Sequence, residues 1–109
     1  MKITCFIEYH IKPEHRQKFQ HYAEQWGQII PQLGGELIGY FLPYEGTNHI
    51  AYGLISFSHL ADYEAYREQL KSHPKGIANF GFAMKEKFII NEKRTFLEVV
   101  PSTYWKTAI

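Results

Sequence analysis

Residues 35–57 hold two strand-length segments that are apolar on both faces, and few small folds can accommodate such a pair. In the first, Leu37, Gly39 and Phe41 alternate with Ile38, Tyr40 and Leu42. In the second, Ala51, Gly53, Ile55 and Phe57 alternate with Ile50, Tyr52 and Leu54. Pro43-Tyr-Glu-Gly-Thr-Asn48 supplies the turn between them. A strand with one wet face alternates apolar with polar residues, so this hairpin should be covered on both sides. A chain of 109 residues has few elements with which to cover it. The shortage points to a second copy of the chain as the missing cover.

The rest of the chain supplies the elements around that hairpin. Ile3, Cys5, Ile7, Tyr9 and Ile11 recur at every second position and predict a strand, whose other face carries Thr4, Phe6, Glu8 and His10. Pro13-Glu14 then opens a helix with Phe19, Tyr22, Ala23, Trp26 and Ile30 on one face, closed by Pro31 and Gly34-Gly35. After the hairpin, Ser58 is expected to cap a second helix with the stripe Leu60, Tyr63, Tyr66 and Leu70. Residues 75–88 carry a weaker helical pattern with Ile77, Phe80, Met84 and Phe88 on one side. A last strand is expected over 95–100, stopped by Pro101, and the tail 101–109 contains Tyr104 and Trp105.

This order predicts a single α+β domain over 1–109 with a core at about 3–100. Its arrangement is the split βαβ, ferredoxin-like βαββαβ, a four-stranded antiparallel sheet with helices on one face. About half a dozen large apolar side chains would remain on the bare face, at about 1.5–3 kcal/mol each when buried. Two sheets facing across a two-fold axis bury them, so a homodimer forming a shared α+β barrel is expected.

Composition narrows the function classes. Hydrophobic residues make up 45% and aromatics 17%, as in a folded globular chain. A formal charge of +1 without a basic block gives no electrostatic footprint for nucleic acid or an acidic membrane. One cysteine allows no internal disulfide and suits a reducing compartment. No leader or membrane-spanning run is visible, so a cytoplasmic location is the expectation.

Several segments resemble the NIPSNAP family. Ile7-Glu-Tyr-His-Ile-Lys-Pro13 is similar to its opening Tyr-x-Leu-Lys-Pro signature. Ile38-Gly-Tyr-Phe41, Gly46-Thr-Asn48 and the run from Ser58 through Tyr63, Tyr66 and Arg67 to Leu70 resemble its hairpin and second helix. Arg94-Thr-Phe-Leu97 resembles its last strand. The resemblance spans roughly 3–100 and implies the dimeric α+β-barrel architecture. It implies no chemistry, because the family has no settled reaction. Two positions depart from the pattern: Tyr52-Gly-Leu-Ile stands where the family has His-Leu-Trp, and His73-Pro-Lys-Gly76 where a Trp often follows Asp-Pro.

Candidate site residues each have a plainer structural explanation. Glu8 and His10 share a strand face roughly 6.5–7 Å apart and could transfer protons within a confined space; the plainer reading pairs them with Lys12 or Arg94. Tyr40 and Tyr52, with Tyr9, could line a pocket for a flat apolar ligand, or simply pack. Asn48 could touch a ligand at the barrel mouth or only serve the turn. Arg67 could hold an anion, stack on Tyr63, or pair with Glu64 or Glu68. The six histidines lack metal-ligand spacing, so no metal is expected, and no phosphate-cradling loop or other cofactor signature is present.

Two functional classes remain. One is a protein that binds a small apolar or aromatic molecule in the barrel near Glu8, His10, Tyr40, Asn48 and Tyr52, with cofactor-independent, monooxygenase-like catalysis as an extension. The other is a non-catalytic interaction or scaffold dimer.

Overall fold

A computed structural model describes residues 1–106. Strand β1 (Ile3–Ile11) leads through a 3-10 turn at Pro13–His15 into helix α1 (Arg16–Gln32). Strands β2 (Glu36–Phe41) and β3 (Ile50–Phe57) form the hairpin. Helices α2 (Leu60–Leu70) and α3 (Pro74–Glu86) follow, then strand β4 (Ile89–Glu98) and a short 3-10 turn at Pro101–Thr103. The sheet order is β2-β3-β1-β4, and every neighbouring pair is antiparallel. This is the expected ferredoxin-like α+β arrangement, with a third helix between α2 and β4.

The alternation of β1 sets the layers. Ile3, Cys5, Ile7, Tyr9 and Ile11 are buried beneath the helices, against Phe19, Tyr22, Trp26, Ile29 and Ile30 of α1. Ala51, Ile55 and Phe57 of β3, with Tyr66, Leu70 and Phe88, complete that core. Among the described residues no helix lies over the opposite face of the sheet. Phe6, Tyr52, Leu54, Phe41 and Leu97 stand there in register across the four strands.

Several local expectations are corrected. A register shift between Leu37 and Gly39 places one extra residue in β2, so Leu37 and Tyr40 both pair with helix-side residues of β3 while Gly39 and Phe41 take the other face. Strict alternation had put Leu37 with Phe41. Helix α1 continues through Pro31 and ends at Gln32, and just beyond its Leu33 cap stands Gly34, whose φ of 87° is the left-handed geometry glycine adopts most readily. Ser58 caps nothing. His59 precedes α2, without a side-chain cap bond. His73 caps α3 instead, its Nδ1 accepting from the Gly76 N–H at 3.2 Å. On α3, Ile77 and Met84 are 52% and 77% exposed, so of the apolar side read from the sequence only Phe80 and Phe88 meet the core. Strand β4 begins at Ile89, six residues before the expected start.

Candidate functional site

The aromatic residues of the helix-side core converge on a crevice between the sheet and the helices. Gly53 makes the central contact possible. Its place on β3 lies directly under the Tyr40 ring, where an added Cβ would come within 2.7 Å of Cε1. Without that side chain, Tyr40 lies over β3 and meets Tyr9 of β1, hydroxyl to hydroxyl, at 3.3 Å. Tyr22 and Trp26 from α1, Tyr63 and Tyr66 from α2, and Phe80 from α3 close the rest of the crevice. Their rings meet mostly edge-on, as in the pairs Tyr22–Trp26 at 5.8 Å and Trp26–Phe80 at 4.8 Å.

Burial pushes the phenols of Tyr9, Tyr40 and Tyr66 well up, and that of Tyr22 up to about 12. These hydroxyls therefore stay protonated near neutrality, available as hydrogen-bond partners rather than as bases. Arg94 enters from β4, beside Ile7. Its Nη1 donates to the Tyr63 hydroxyl at 3.1 Å, while Nε and Nη2 donate to Glu92 at 3.2 and 3.0 Å. It does not reach Glu8, the partner that the sequence had allowed it.

The crevice interior is almost full, with about 10 Å³ of free space. It widens outward into a depression of about 710 Å³ between α3 and β4, walled by Tyr22, Phe80, Ala83, Met84, Ile89 and Ile90. A second depression of about 390 Å³ lies between α2 and α3, over Leu70, Ile77, Gly81 and Met84. Arg67 and Phe80 border all three spaces. Arg67 is exposed, and its side chain makes no hydrogen bond or ion pair among the described residues. Glu68, one of its expected partners, is taken by Lys71 at 3.0 Å.

The sequence-predicted residues separate into three places. Glu8 and His10 meet on the open sheet face, Oε2 to Nε2, at 3.2 Å, paired with each other rather than with Lys12 or Arg94. Tyr52 stands opposite Glu8 on the same face, its ring 5.4 Å from that of Phe6. Tyr40 and Arg67 belong to the helix side, so Tyr40 and Tyr52 cannot line one pocket within a single chain. Asn48 lies in the exposed hairpin loop, 3.3 Å from its neighbour His49. Burial raises the Cys5 thiol pKa, as expected of a small buried hydrophobe. Among the described residues no three His, Cys, Asp or Glu side chains converge as a metal site.

Tyr22, Trp26, Tyr66 and Phe80 are the crevice residues that the sequence reading took only as core stripe. Their spacing does say that they point inward. It does not say that the helices part beside them.

The NIPSNAP family profile matches residues 4–103. The chain belongs to the NIPSNAP family. No match was found among curated proteins. A NIPSNAP family protein of unknown function from Agrobacterium tumefaciens is similar over 90% of this chain and 87% of its own, with 20% identity and a TM-score of 0.77. A putative antibiotic biosynthesis monooxygenase from Nitrosomonas europaea aligns over 92% and 99% of the two chains, with 11% identity and a TM-score of 0.70. A dimeric protein of unknown function with a ferredoxin-like fold, from Bacteroides fragilis, aligns over 90% and 96%, with 11% identity and a TM-score of 0.60. At these identities the likeness is one of fold. The NIPSNAP domain thus shares its architecture with proteins bearing quite different names. No helix among the described residues is long and apolar enough to cross a membrane.

Proposed function

We propose that this NIPSNAP domain is one half of a homodimer that binds a small apolar or aromatic molecule, and that the molecule sits between helices and sheet rather than between two sheets. The depression of about 710 Å³ between α3 and β4 carries the reading. It has the size of a small-molecule site, apolar walls and a few polar groups, Arg67, Lys87, Asn91 and Glu92, along its lining. The open sheet face supports the dimer by its exposed apolar residues, and the Bacteroides fragilis neighbour is named as dimeric. Cofactor-independent oxygenation of a bound ring is the chemical extension suggested by the Nitrosomonas europaea protein's name, and oxygen uptake with an electron-rich naphthol is its measure. The scaffold reading draws on a different observation, the nearly filled crevice interior, and predicts no saturable site.

The test uses N-phenyl-1-naphthylamine, a flat neutral fluorophore, with Trp105 replaced by Phe so that Trp26 is the single donor. Saturable binding of one probe per chain, with energy transfer from Trp26, is expected. Ala83→Trp, which places a large ring in the depression, should abolish it. Absence of saturable binding, or binding that Ala83→Trp leaves intact, would overturn this placement.

A further inference from the structure

We propose that the molecule bound between α3 and β4 is an acid, an aromatic or polycyclic carboxylate, and that Arg67 reads its charge. This inference rests on the small-molecule reading above and adds the chemistry of the ligand. Four charged side chains line the two depressions among the described residues, and their pairing decides the sign. Glu92 is the one carboxylate lining the larger depression among the described residues, and Arg94 neutralises it at 3.0 Å. Lys71, on the rim of the smaller one, is paired with Glu68. Arg67 and Lys87 are the two that remain. Neither forms an ion pair with a described residue, and both line the larger depression.

The apolar surroundings give those free cations their significance. A guanidinium in open water gains little from an added anion, whereas one beside an apolar wall faces fewer competing waters. Phe80, Met84, Ile89 and Ile90 supply that wall. A ligand with a flat apolar body and one acidic group fits both features at once: rings against the wall, and two acceptor oxygens toward the planar fork of Arg67. A neutral ligand would leave the fork unanswered. A cationic one would meet like charge.

Two probes sharing an aromatic body separate the charge from the shape. 1-Anilinonaphthalene-8-sulfonate carries an anionic group, and N-phenyl-1-naphthylamine is the same skeleton without it. Fluorescence titration of the full chain with each is the experiment, on the wild type, Arg67→Gln and Met84→Glu. Arg67→Gln should weaken the sulfonate about ten-fold, the scale expected for a lost charge-assisted contact, and leave the neutral probe within about two-fold. Met84 is so exposed that a carboxylate there should not disturb folding. Met84→Glu should therefore weaken the sulfonate more than the neutral probe. If neither probe binds, the small-molecule reading fails and this inference with it. If both bind but neither substitution separates them, the site stands and the charge assignment is overturned. Equal losses of both probes in Arg67→Gln would overturn it too, making Arg67 part of the wall.

Discussion

Glu36 shows how one carboxylate ties three parts of the chain together. The Tyr104 hydroxyl donates to its Oε1, and Lys2 and Lys106 approach within 3.5 and 3.1 Å. That hydrogen bond holds its pKa below the ordinary 4.5 against the opposing effect of burial, with lesser help from the two lysines. A carboxyl with a lowered folded-state pKa stabilises the fold fully above its unfolded value, and the contribution is lost as pH falls through the folded value. Glu36→Gln should therefore fall less steeply in stability than the wild type below about pH 4.5. The effect should be small, because solvent screens a partly exposed group. Urea midpoints at pH 7 and pH 3 check this, and parallel declines would show that the bond contributes nothing. The contact joins residues 68 positions apart, so nothing in local sequence pattern could have announced it.

Helix α3 illustrates both the reach and the limit of pattern reading for whole elements. Its existence was visible at 75–88, but its orientation was not, because Asn79 rather than an apolar residue fixes how it docks. The Asn79 Nδ2 donates to the Tyr22 carbonyl of α1 at 3.0 Å, and the residue is buried. Asn79→Ala should cost about 1–3 kcal/mol, since the carbonyl loses its second partner and a cavity remains. Denaturant unfolding measures this, and an unchanged midpoint would mean that α3 docks through its aromatic residues alone. Strand β1 was legible in full because its period of two meets a covered face and a bare one. Strand β4 was read six residues short because Asn91, Glu92, Lys93 and Arg94 look like a loop. They are strand residues on a sheet edge, where charge is tolerated and discourages unwanted pairing. The site was the least legible part. Glu8, His10, Tyr40 and Tyr52 were all placed on strands correctly, yet the extra residue in β2 and the gap between helices decide which of them share a space.

For the molecule as a whole, the decisive feature is the bare face of the sheet. Phe6, Phe41, Tyr52, Leu54 and Leu97 project from it, with Phe41 49% exposed and Leu97 44%. Burying such side chains is worth about 1.5–3 kcal/mol each, enough in sum to offset the entropic cost of association. Sedimentation velocity at micromolar concentration should therefore show a species of twice the chain mass. Leu54→Asp should convert it to a monomer with an unchanged far-ultraviolet spectrum, because Leu54 points away from the helix-side core. A wild type that sediments as a folded single chain would remove the dimer and leave the helix-side depression untouched.

The start of β1 and the end of the edge strand β4 also meet at one corner. The Val99 N–H donates to the Lys2 carbonyl at 3.0 Å, and Ile3 pairs with Glu98. Tension applied between the start of β1 and the end of β4 would act across adjacent antiparallel strands from the same side. The sheet would then part like a zipper, one rung at a time, instead of loading many rungs together in shear. However well its core is packed, the domain should thus yield to a gentle tug from those two ends.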